Sequence, residues 1–262
     1  MQIFYWKDLI NNKTMPQCFE KGGGLSIGSF DGLHLGHRLL LSNLCDYCKK
    51  NNFLKGVFTF TRPLPSLKHN DQYLGDICTL NQRLHLFETL GLDFVIIADF
   101  NENFSQTKGT DFLSSLIKVC NMKFLAEGVD FRCGYKGATD TQAIKYFANA
   151  NNLQTLFVEP VFYNDGFENE RVSSSYIRKM IKDGFLSTVQ KLLERPYELD
   201  ISDFVDSEIE LKNIVQVIPR ENIYHCNKGE KEVRVEINSE KIIIKDFEKL
   251  EGNEKIESLI FN

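Results

Sequence analysis

Short apolar runs alternate with longer amphipathic runs through the first two-thirds of the chain, and this alternation constrains the fold more than any other feature. The predicted strands cover residues 25–30, 56–60, 93–100, 123–128 and 153–160. The predicted helices cover residues 37–50, 80–91, 110–121, 139–152, 174–183 and 185–194. Strands that alternate with helices pair in parallel through right-handed crossovers. The sequence therefore predicts an α/β fold, a Rossmann-like parallel sheet with helices on both faces.

Two of these helices carry recognisable end signals. Gly91 is expected at the C-terminal end of helix 80–91, where a residue with positive φ commonly closes a helix. Thr110 or Asp111 is expected to cap the N-terminus of the next helix.

The composition and the pattern of predicted elements change after Arg195-Pro196-Tyr197. An acidic stretch over 198–209 is followed by predicted strands at 214–218, 232–237 and 241–247, with turns at Asn227-Lys228-Gly229 and Asn238-Ser239. We therefore predict a division into residues 1–198, the α/β domain, and residues 199–262, a small β-rich domain.

Composition narrows the class of protein. The chain has 262 residues, 42% of them hydrophobic and 26% charged, with a formal net charge of −5. That charge argues against a nucleic-acid-binding surface. The sequence has no apolar run long enough to span a bilayer, and its start lacks the features of a signal peptide, so we expect a cytoplasmic protein without a membrane partner. Seven scattered cysteines favour neither disulfides nor a metal site, and Cys45, of the CxxC pair Cys45 and Cys48, is expected to be a buried small hydrophobe.

The decapeptide GSFDGLHLGH at 28–37 follows the first predicted strand and enters a helix near Leu35. Its glycines allow a phosphate to approach the backbone, and the helix N-terminus offers unpaired N–H groups. His34 and His37 stand three residues apart, so both imidazoles could donate hydrogen bonds to charge that develops on a phosphoryl group. The alternative is a turn with two surface or capping histidines.

A second phosphate-binding pattern is RVSSSYIR at 171–178. Ser174 and Ser175 open a predicted helix, and Arg171 and Arg178 flank that turn as forked donors. The alternative is a capping serine with solvated arginines.

Three other residues are candidates for contact with a ring or a ribose. Asp130 ends a predicted strand and could hold ribose hydroxyls or the polar edge of a ring, or it could simply form a turn. Phe60 and Phe131 could line the binding site of an aromatic ligand, or they could belong to the core.

Four stretches together resemble one family. GSFDGLHLGH is similar to the HxGH signature of the nucleotidyltransferase superfamily, and more narrowly to the GNFDGVHLGH form of the prokaryotic bifunctional riboflavin kinase/FAD synthetases. EGVDFRCG at 127–134 resembles that family's GxDFxFG, RVSSSYIR its RxSSTxIR, and LLERPYEL at 192–199 its LLGRPYxL. The resemblance covers roughly residues 10–200 in the family's order.

The resemblance implies an FMN adenylyltransferase, or FAD synthetase, which transfers AMP from ATP to FMN and releases pyrophosphate. ATP and FMN would be its small-molecule partners, and Mg²⁺ would arrive with ATP, without a protein metal ligand. The catalytic residues would be His34, His37 and Arg178. ATP would be bound by Gly28, Ser29, Phe30, Asp31, Gly36, Arg171, Ser174 and Ser175. The flavin or adenosine would be bound by Phe60, Asp130, Phe131 and Arg132.

Some residues depart from the family pattern. Ser29 replaces an asparagine, and Leu64 replaces a histidine that follows the second strand. Ser175, Tyr176 and Thr139 are further changes. These departures leave two alternatives open: an adenylyltransferase with a different phosphorylated acceptor, or a catalytically degenerate nucleotide- or flavin-binding regulatory paralogue.

The family's riboflavin kinase part carries a GxxxGFPTAN run, and residues 201–262 contain no such run. We expect residues 199–262 to be a reduced remnant of that kinase barrel and expect no riboflavin kinase activity.

Overall fold

The computed structural model describes residues 1–12, 14–64, 73–164, 166, 169–204, 206–228, 231–245 and 258–261. The chain divides into two compact units. The first comprises Met1–Phe30, Gly36–Leu67 and Leu84–Val161. The second comprises Asp31–Leu35, Lys68–Arg83 and Phe162–Asn262. The units do not coincide with the division at residue 198, which stays a prediction.

The first unit is built on a six-stranded parallel sheet. Its strands are β1 (Gln2–Tyr5), β2 (Gly23–Ile27), β3 (Leu54–Phe60), β4 (Phe94–Ala98), β5 (Met122–Gly128) and β6 (Gln154–Val158). They lie in the order β1-β4-β3-β2-β5-β6. Every residue of β2 and β4 is buried, as expected where both faces of a sheet are covered. The predicted Rossmann-like α/β fold is confirmed.

Helices connect these strands. They are α1 (Trp6–Asn11), α2 (Leu35–Asn51), α3 (Leu80–Thr89), α4 (Glu102–Ser105), α5 (Gly109–Cys120) and α6 (Thr141–Ala150). Among the described residues, no helix is long and apolar enough to cross a membrane.

The core of the first unit is rich in aromatic rings. Phe58 of β3 meets Trp6, Phe60 and Phe112 edge to face, with ring centroids 5.3, 5.7 and 5.0 Å away. Edge-to-face contacts match the positive edge of one ring with the negative face of another. This cluster packs the carboxyl-terminal part of β3 against α1 and α5.

Helix ends agree with the sequence only in part. Gly91 has φ of +71° two residues after α3, as a C-terminal glycine should. The prediction of Thr110 or Asp111 as a cap is wrong, because Lys108 holds that position without a side-chain hydrogen bond. Gly109 starts the helix one residue earlier, where a Cβ would lie 2.3 Å from Oγ1 of Thr139, so only glycine permits this approach.

The second unit carries an antiparallel half-barrel. Its strands are β9 (Tyr197–Asp200), β10 (Glu208–Glu210), β11 (Asn222–Lys228), β12 (Lys231–Ile237), β13 (Lys241–Ile244) and β14 (Ser258–Phe261). They lie in the order β10-β13-β12-β11-β14-β9. A hairpin of β7 (Phe162–Asn164) and β8 (Asn169–Arg171) and the helices α7 (Ser174–Lys182) and α8 (Leu186–Leu193) precede the half-barrel.

The predicted strand at 214–218 is wrong. Among the described residues, this run forms only one isolated β-bridge, from Gln216 to Asp76, and a single bridge does not make a strand. The strand predicted at 232–237 lies within β12 and is confirmed. Residues 241–244 are confirmed as β13, whereas 246–247 lie outside the described residues.

The two predicted turns have different outcomes. Asn227 and Lys228 belong to β11 rather than to a turn, and Gly229 lies outside the described residues. The turn at Asn238-Ser239 is present, with Oδ1 of Asn238 accepting the N–H groups of Glu240 and Lys241.

Candidate functional site

The loop between β2 and α2 carries the histidine motif and has unusual backbone geometry. Phe30, Gly32 and Leu33 have φ of +48°, +87° and +43°. Such angles strain a side-chain-bearing residue by about 1–3 kcal/mol, and they persist when the surroundings fix them. The Phe30 and Leu33 side chains are fully buried, and this burial offsets the strain. No turn residue at 30 or 33 signals this path in the sequence.

In the first unit, the residues that open this loop are tied to β3 and the segment after it. The N–H of Gly28 donates to the carbonyl of Phe58 at 3.0 Å. The N–H of Leu64 donates to Oγ of Ser29 at 3.1 Å. The two residues that depart most from the family pattern therefore bond to each other.

His37 lies in the first turn of α2, which starts at Leu35 as predicted. Its ring centroid is 5.3 Å from that of Phe30, edge to face. Phe30 in turn meets Phe87 edge to face at 5.7 Å. The buried Phe30 side chain therefore packs against the His37 ring, and only the backbone of Phe30 could contact a ligand.

The residues predicted for the flavin or adenosine lie at or after the ends of β3 and β5. Phe60 is 5% exposed within the aromatic core, and Phe131 is half-buried against that core. Asp130 and Arg132 are exposed, and Nε of Arg132 donates to the carbonyl of Gly137 at 2.7 Å. Of these four, the two charged residues are the ones presented to solvent at the carboxyl edge, where α/β sheets bind ligands.

In the second unit, Asp31 is the centre of a buried network. Its carboxylate accepts the N–H groups of Ile77 and Cys78 at 3.0 and 2.9 Å and pairs with the Arg178 guanidinium. Burial raises the pKa of Asp31, while the Arg178 charge opposes that shift. Oγ of Ser174 donates to the Asp31 carbonyl at 2.9 Å. Asp31 thus joins the histidine loop to the start of α7.

Arg178 is 5% exposed and held on several sides. Its Nε donates to the carbonyl of Gly75 at 2.8 Å, and its guanidinium carbon lies 4.9 Å from the centre of the Tyr73 ring. The alternative of a solvated arginine therefore fails at this position. Arg171, at the end of β8, is exposed.

His34 immediately precedes α2 and is 6% exposed. Burial, helped by the charges of Arg171 and Arg178, lowers the pKa of His34 to about 4. The imidazole is therefore neutral at neutral pH and can donate one N–H without carrying a charge. The alternative of a surface histidine fails for His34.

The three serines of the second motif occupy different positions at the start of α7. Ser174 begins α7, as predicted, and Ser175 follows it on an exposed position. Ser173 caps the helix by accepting the N–H of Tyr176 at 3.2 Å, a role that the sequence analysis did not assign.

Sequence reasoning also missed Arg195. Its Nη2 donates to the carbonyl of Gly32 at 2.9 Å, within the strained part of the loop. In the sequence, Arg195 stands out only as part of LLERPYEL. Its contact with Gly32 could not be predicted, because a hydrogen bond across 163 positions leaves no local pattern.

No group of three or more potential metal-ligating side chains occurs among the residues that the structure describes. The cysteine pair of α2 has a structural explanation. Cys48 is fully buried against Gly24, and burial raises the pKa of its thiol to about 12. The prediction of a buried Cys45 is wrong, because its side chain is only half-buried; partial burial still raises the pKa of its thiol.

Comparison with known proteins identifies the family. A family model described as FAD synthetase matches residues 18–176, more than half of the chain, and the chain belongs to this family. The bifunctional riboflavin kinase/FMN adenylyltransferase of Buchnera aphidicola subsp. Schizaphis graminum is 32% identical over 177 residues, covering 67% of this chain and 55% of that protein. The FAD synthetase of Listeria monocytogenes is 22% identical over 182 residues, covering 70% of this chain and 72% of that protein.

The Escherichia coli K12 bifunctional protein is 29% identical over 192 residues, covering 71% of this chain and 58% of that protein. The chain thus spans little more than half the length of the bifunctional relatives it matches. A solved structure described as a macrolide-efflux protein from Streptococcus pneumoniae superposes with a TM-score of 0.73 at 18% identity, covering 100% of this chain and 97% of that one. At this identity, the likeness concerns the fold alone.

Proposed function

We propose that the protein is an FMN adenylyltransferase. A phosphate oxygen of FMN attacks the α-phosphorus of Mg·ATP in line, the bond from that phosphorus to the α–β bridging oxygen breaks, and pyrophosphate leaves with the electron pair. The observation that carries this proposal is the buried, neutral His34 before the N-terminus of α2, close enough to Arg171 and Arg178 for their charges to lower its pKa. Phosphoryl chemistry of this kind needs positioning and stabilisation of charge more than covalent help from the protein.

The histidines have the role of hydrogen-bond donors. His34 and His37 donate N–H groups to oxygens of the α-phosphate as negative charge accumulates there. A neutral donor in a buried place interacts strongly with such charge and needs no proton exchange with solvent. The bare backbones of Gly28 and Gly36 and the N–H groups at the start of α2 bind the phosphates beside them.

The basic motif holds the departing phosphates. Arg171, Ser174 and Ser175 bind the β- and γ-phosphate oxygens. Among the described residues, Arg178 bonds through Nε to Gly75 and through Nη2 to Asp31 and Tyr73, and we assign its Nη1 to a phosphate. We assign Asp31 and Ser29 the task of fixing the loop, so they act on ATP through the backbone.

The exposed charges after β5 suit the rest of the substrates. Asp130 accepts hydrogen bonds from ribose or ribityl hydroxyls, and Arg132 pairs with a phosphate. Phe131 covers one side of a ring, with Phe60 beneath it in the core. Mg²⁺ enters with ATP as part of the substrate.

Two other functions remain candidates for specific reasons. The bond between Ser29 and Leu64 at positions where the family has other residues favours a different phosphorylated acceptor. A regulatory paralogue would bind the ligands without turnover, but a buried neutral donor suits a transition state more than simple binding.

Chromatography of flavins tests the proposal. Purified protein with Mg·ATP and FMN should yield FAD and pyrophosphate in equal amounts. FMN binding without turnover would favour the regulatory paralogue. If FMN neither binds nor reacts, a panel of other phosphorylated acceptors becomes the next assay. The cytoplasm is the location we propose for this activity.

A further inference from the structure

The half-barrel of the second unit has a direct hydrogen-bonded connection to the segment that holds Asp31, and Gln216 is its centre. Gln216 is 3% exposed and lies in the stretch between β10 and β11. Its Nε2 donates to the carbonyl of Ile77 at 2.9 Å and to the carbonyl of Glu198 in β9 at 2.9 Å. Its Oε1 accepts the N–H of Asp200 at 2.7 Å. One buried amide thus bonds β9 and residue 77 at the same time.

The backbone reinforces this connection. The N–H of Asp76 donates to the carbonyl of Val215, and the N–H of Val217 donates to the carbonyl of Asp76, both at 2.8 Å. Oγ1 of Thr79 donates to the Asp200 carboxylate at 2.8 Å. Gly75 has φ of +118°, and a Cβ there would lie 2.8 Å from the Gln216 carbonyl carbon, so the two segments approach as closely as backbones can.

The same short segment fixes the histidine loop. The N–H groups of Ile77 and Cys78 donate to the Asp31 carboxylate, which pairs with Arg178. A continuous set of contacts therefore runs from β9 through Gln216 and Ile77 to Asp31, three residues before His34. A fully bonded buried amide holds one geometry, because any shift leaves polar groups without partners.

We infer that Gln216 is a positioning residue for adenylyl transfer and that, through Gln216, the half-barrel holds the histidine loop in place. The inference rests on the proposed function for its catalytic consequence and on the contacts above for its structural one. It gives residues 199–262 a role that requires no second active site.

Gln216→Met in the full chain tests the inference, since methionine has nearly the same length and lacks every hydrogen bond of the amide. Thr79→Val removes a separate bond to the same strand and serves as a milder second variant. Val235→Ala is the matched control, because Val235 is fully buried in β12 of the same half-barrel. Hydrogen exchange of the Ile77 and Cys78 amides reports the structural link, and kcat and KM for FMN report the catalytic one.

We expect Gln216→Met to speed exchange of both amides and to lower kcat by ~10- to 100-fold, the scale of a small misplacement of reacting groups, with little change in KM for FMN. Thr79→Val should change both measurements in the same direction by less. Val235→Ala should leave both unchanged at a temperature where all variants are folded.

Wild-type exchange and kcat in Gln216→Met would overturn the inference, and equal losses in Val235→Ala would also overturn it, because the effect would then be general destabilisation. If Gln216→Met fails to fold, Thr79→Val decides by the same criteria. If the wild-type protein makes no FAD, the proposed function fails, while the exchange of the Ile77 and Cys78 amides still decides whether Gln216 controls the loop.

Discussion

His34 shows how burial changes the chemistry available to a residue. The sequence indicates two imidazoles near a phosphate, but it does not indicate their charge. Burial lowers the pKa of His34 to about 4, so the imidazole is neutral at neutral pH and can donate a hydrogen bond without carrying a charge. That value reflects its surroundings, to which Arg171 and Arg178 contribute from more than 130 positions away.

The first prediction concerns both histidines. We expect His34→Ala or His37→Ala to lower turnover by at least ~10², the scale of losing one transition-state donor, while ATP affinity changes much less. Steady-state rates of FAD formation and calorimetry with ATP measure the two quantities. His85→Ala, on an exposed position of α3, is the control. Near wild-type turnover in either loop variant would remove its catalytic assignment.

Glu127 is a buried carboxyl that the proposed reaction does not use. Its Oε1 accepts the N–H of Ile27 at 2.6 Å, just beyond the last register pair of β2 with β5, Leu25 with Leu125. Burial raises the pKa of Glu127 well above 4.5. The carboxyl therefore takes the place of a strand carbonyl where these two strands separate.

The second prediction follows from that raised pKa. In the unfolded chain Glu127 loses its proton near pH 4.5, whereas the folded protein retains it, so stability falls as pH rises from there through the folded pKa. Glu127→Gln keeps the accepting oxygen and removes the titration. We expect its unfolding free energy, relative to wild type, to increase from pH 5 to pH 8 in denaturant titrations.

Glu159→Gln, on an exposed position after β6, is the matched control and should show no such trend. Parallel pH profiles for wild type and Glu127→Gln would mean that Glu127 titrates normally in the folded protein.

At the scale of elements, the sequence predicts best where a strand is apolar and a helix is long. The strands β2 to β6 and the helices α2, α3, α5 and α6 follow from apolar runs and helical spacing, whereas the four-residue α4 is missed. β1 is missed because four residues that end directly in α1 show no separate period. β11, NIYHCNK, is missed because its polar residues resemble a turn. The run 214–218 is overpredicted because only Val217 of its apolar residues is buried, while Val215 is exposed, and the run forms one isolated bridge, from Gln216 to Asp76.

The third prediction concerns the packing of α2 on β2. A Cβ at Gly24 would lie 2.2 Å from Sγ of Cys48, so Gly24→Ala should destabilise the protein by about 1–3 kcal/mol through overpacking. Cys48→Ala makes room, and the double variant should lose less stability than the sum of the single variants. Denaturant unfolding of the four proteins measures this coupling.

Cys45→Ala, on the same helix, is the control for loss of a thiol and should not rescue Gly24→Ala. Additive losses for Gly24→Ala and Cys48→Ala would contradict the contact between these residues.

At the scale of the whole molecule, the candidate site could be predicted as a list of residues but not as a set of contacts. The four family stretches contain Asp31, His34, Arg178 and Arg195, so the sequence identifies these residues although they are far apart along the chain. The partners that fix them, Ile77, Cys78 and Gln216, lie in stretches without a motif. Long-range hydrogen bonds between backbone and side chain leave no periodic pattern, so only a structure reveals them.

The fourth prediction is that this chain does not phosphorylate riboflavin. It contains no GFPTAN-like run, and the contacts of its half-barrel favour a structural role. Incubation with riboflavin and Mg·ATP should leave riboflavin unchanged by chromatography, and the same preparation with FMN is the positive control. Accumulation of FMN from riboflavin would show that residues 199–262 retain kinase chemistry.

Transfer of the α-phosphate is the central claim, and label transfer measures it most directly. With FMN and ATP carrying ³²P at the α-phosphate, the account predicts that label enters FAD one for one with the pyrophosphate released, and that His34→Ala reduces this by at least ~10². Label that remains in ATP while FMN is bound, or that enters a product other than FAD, would contradict the account.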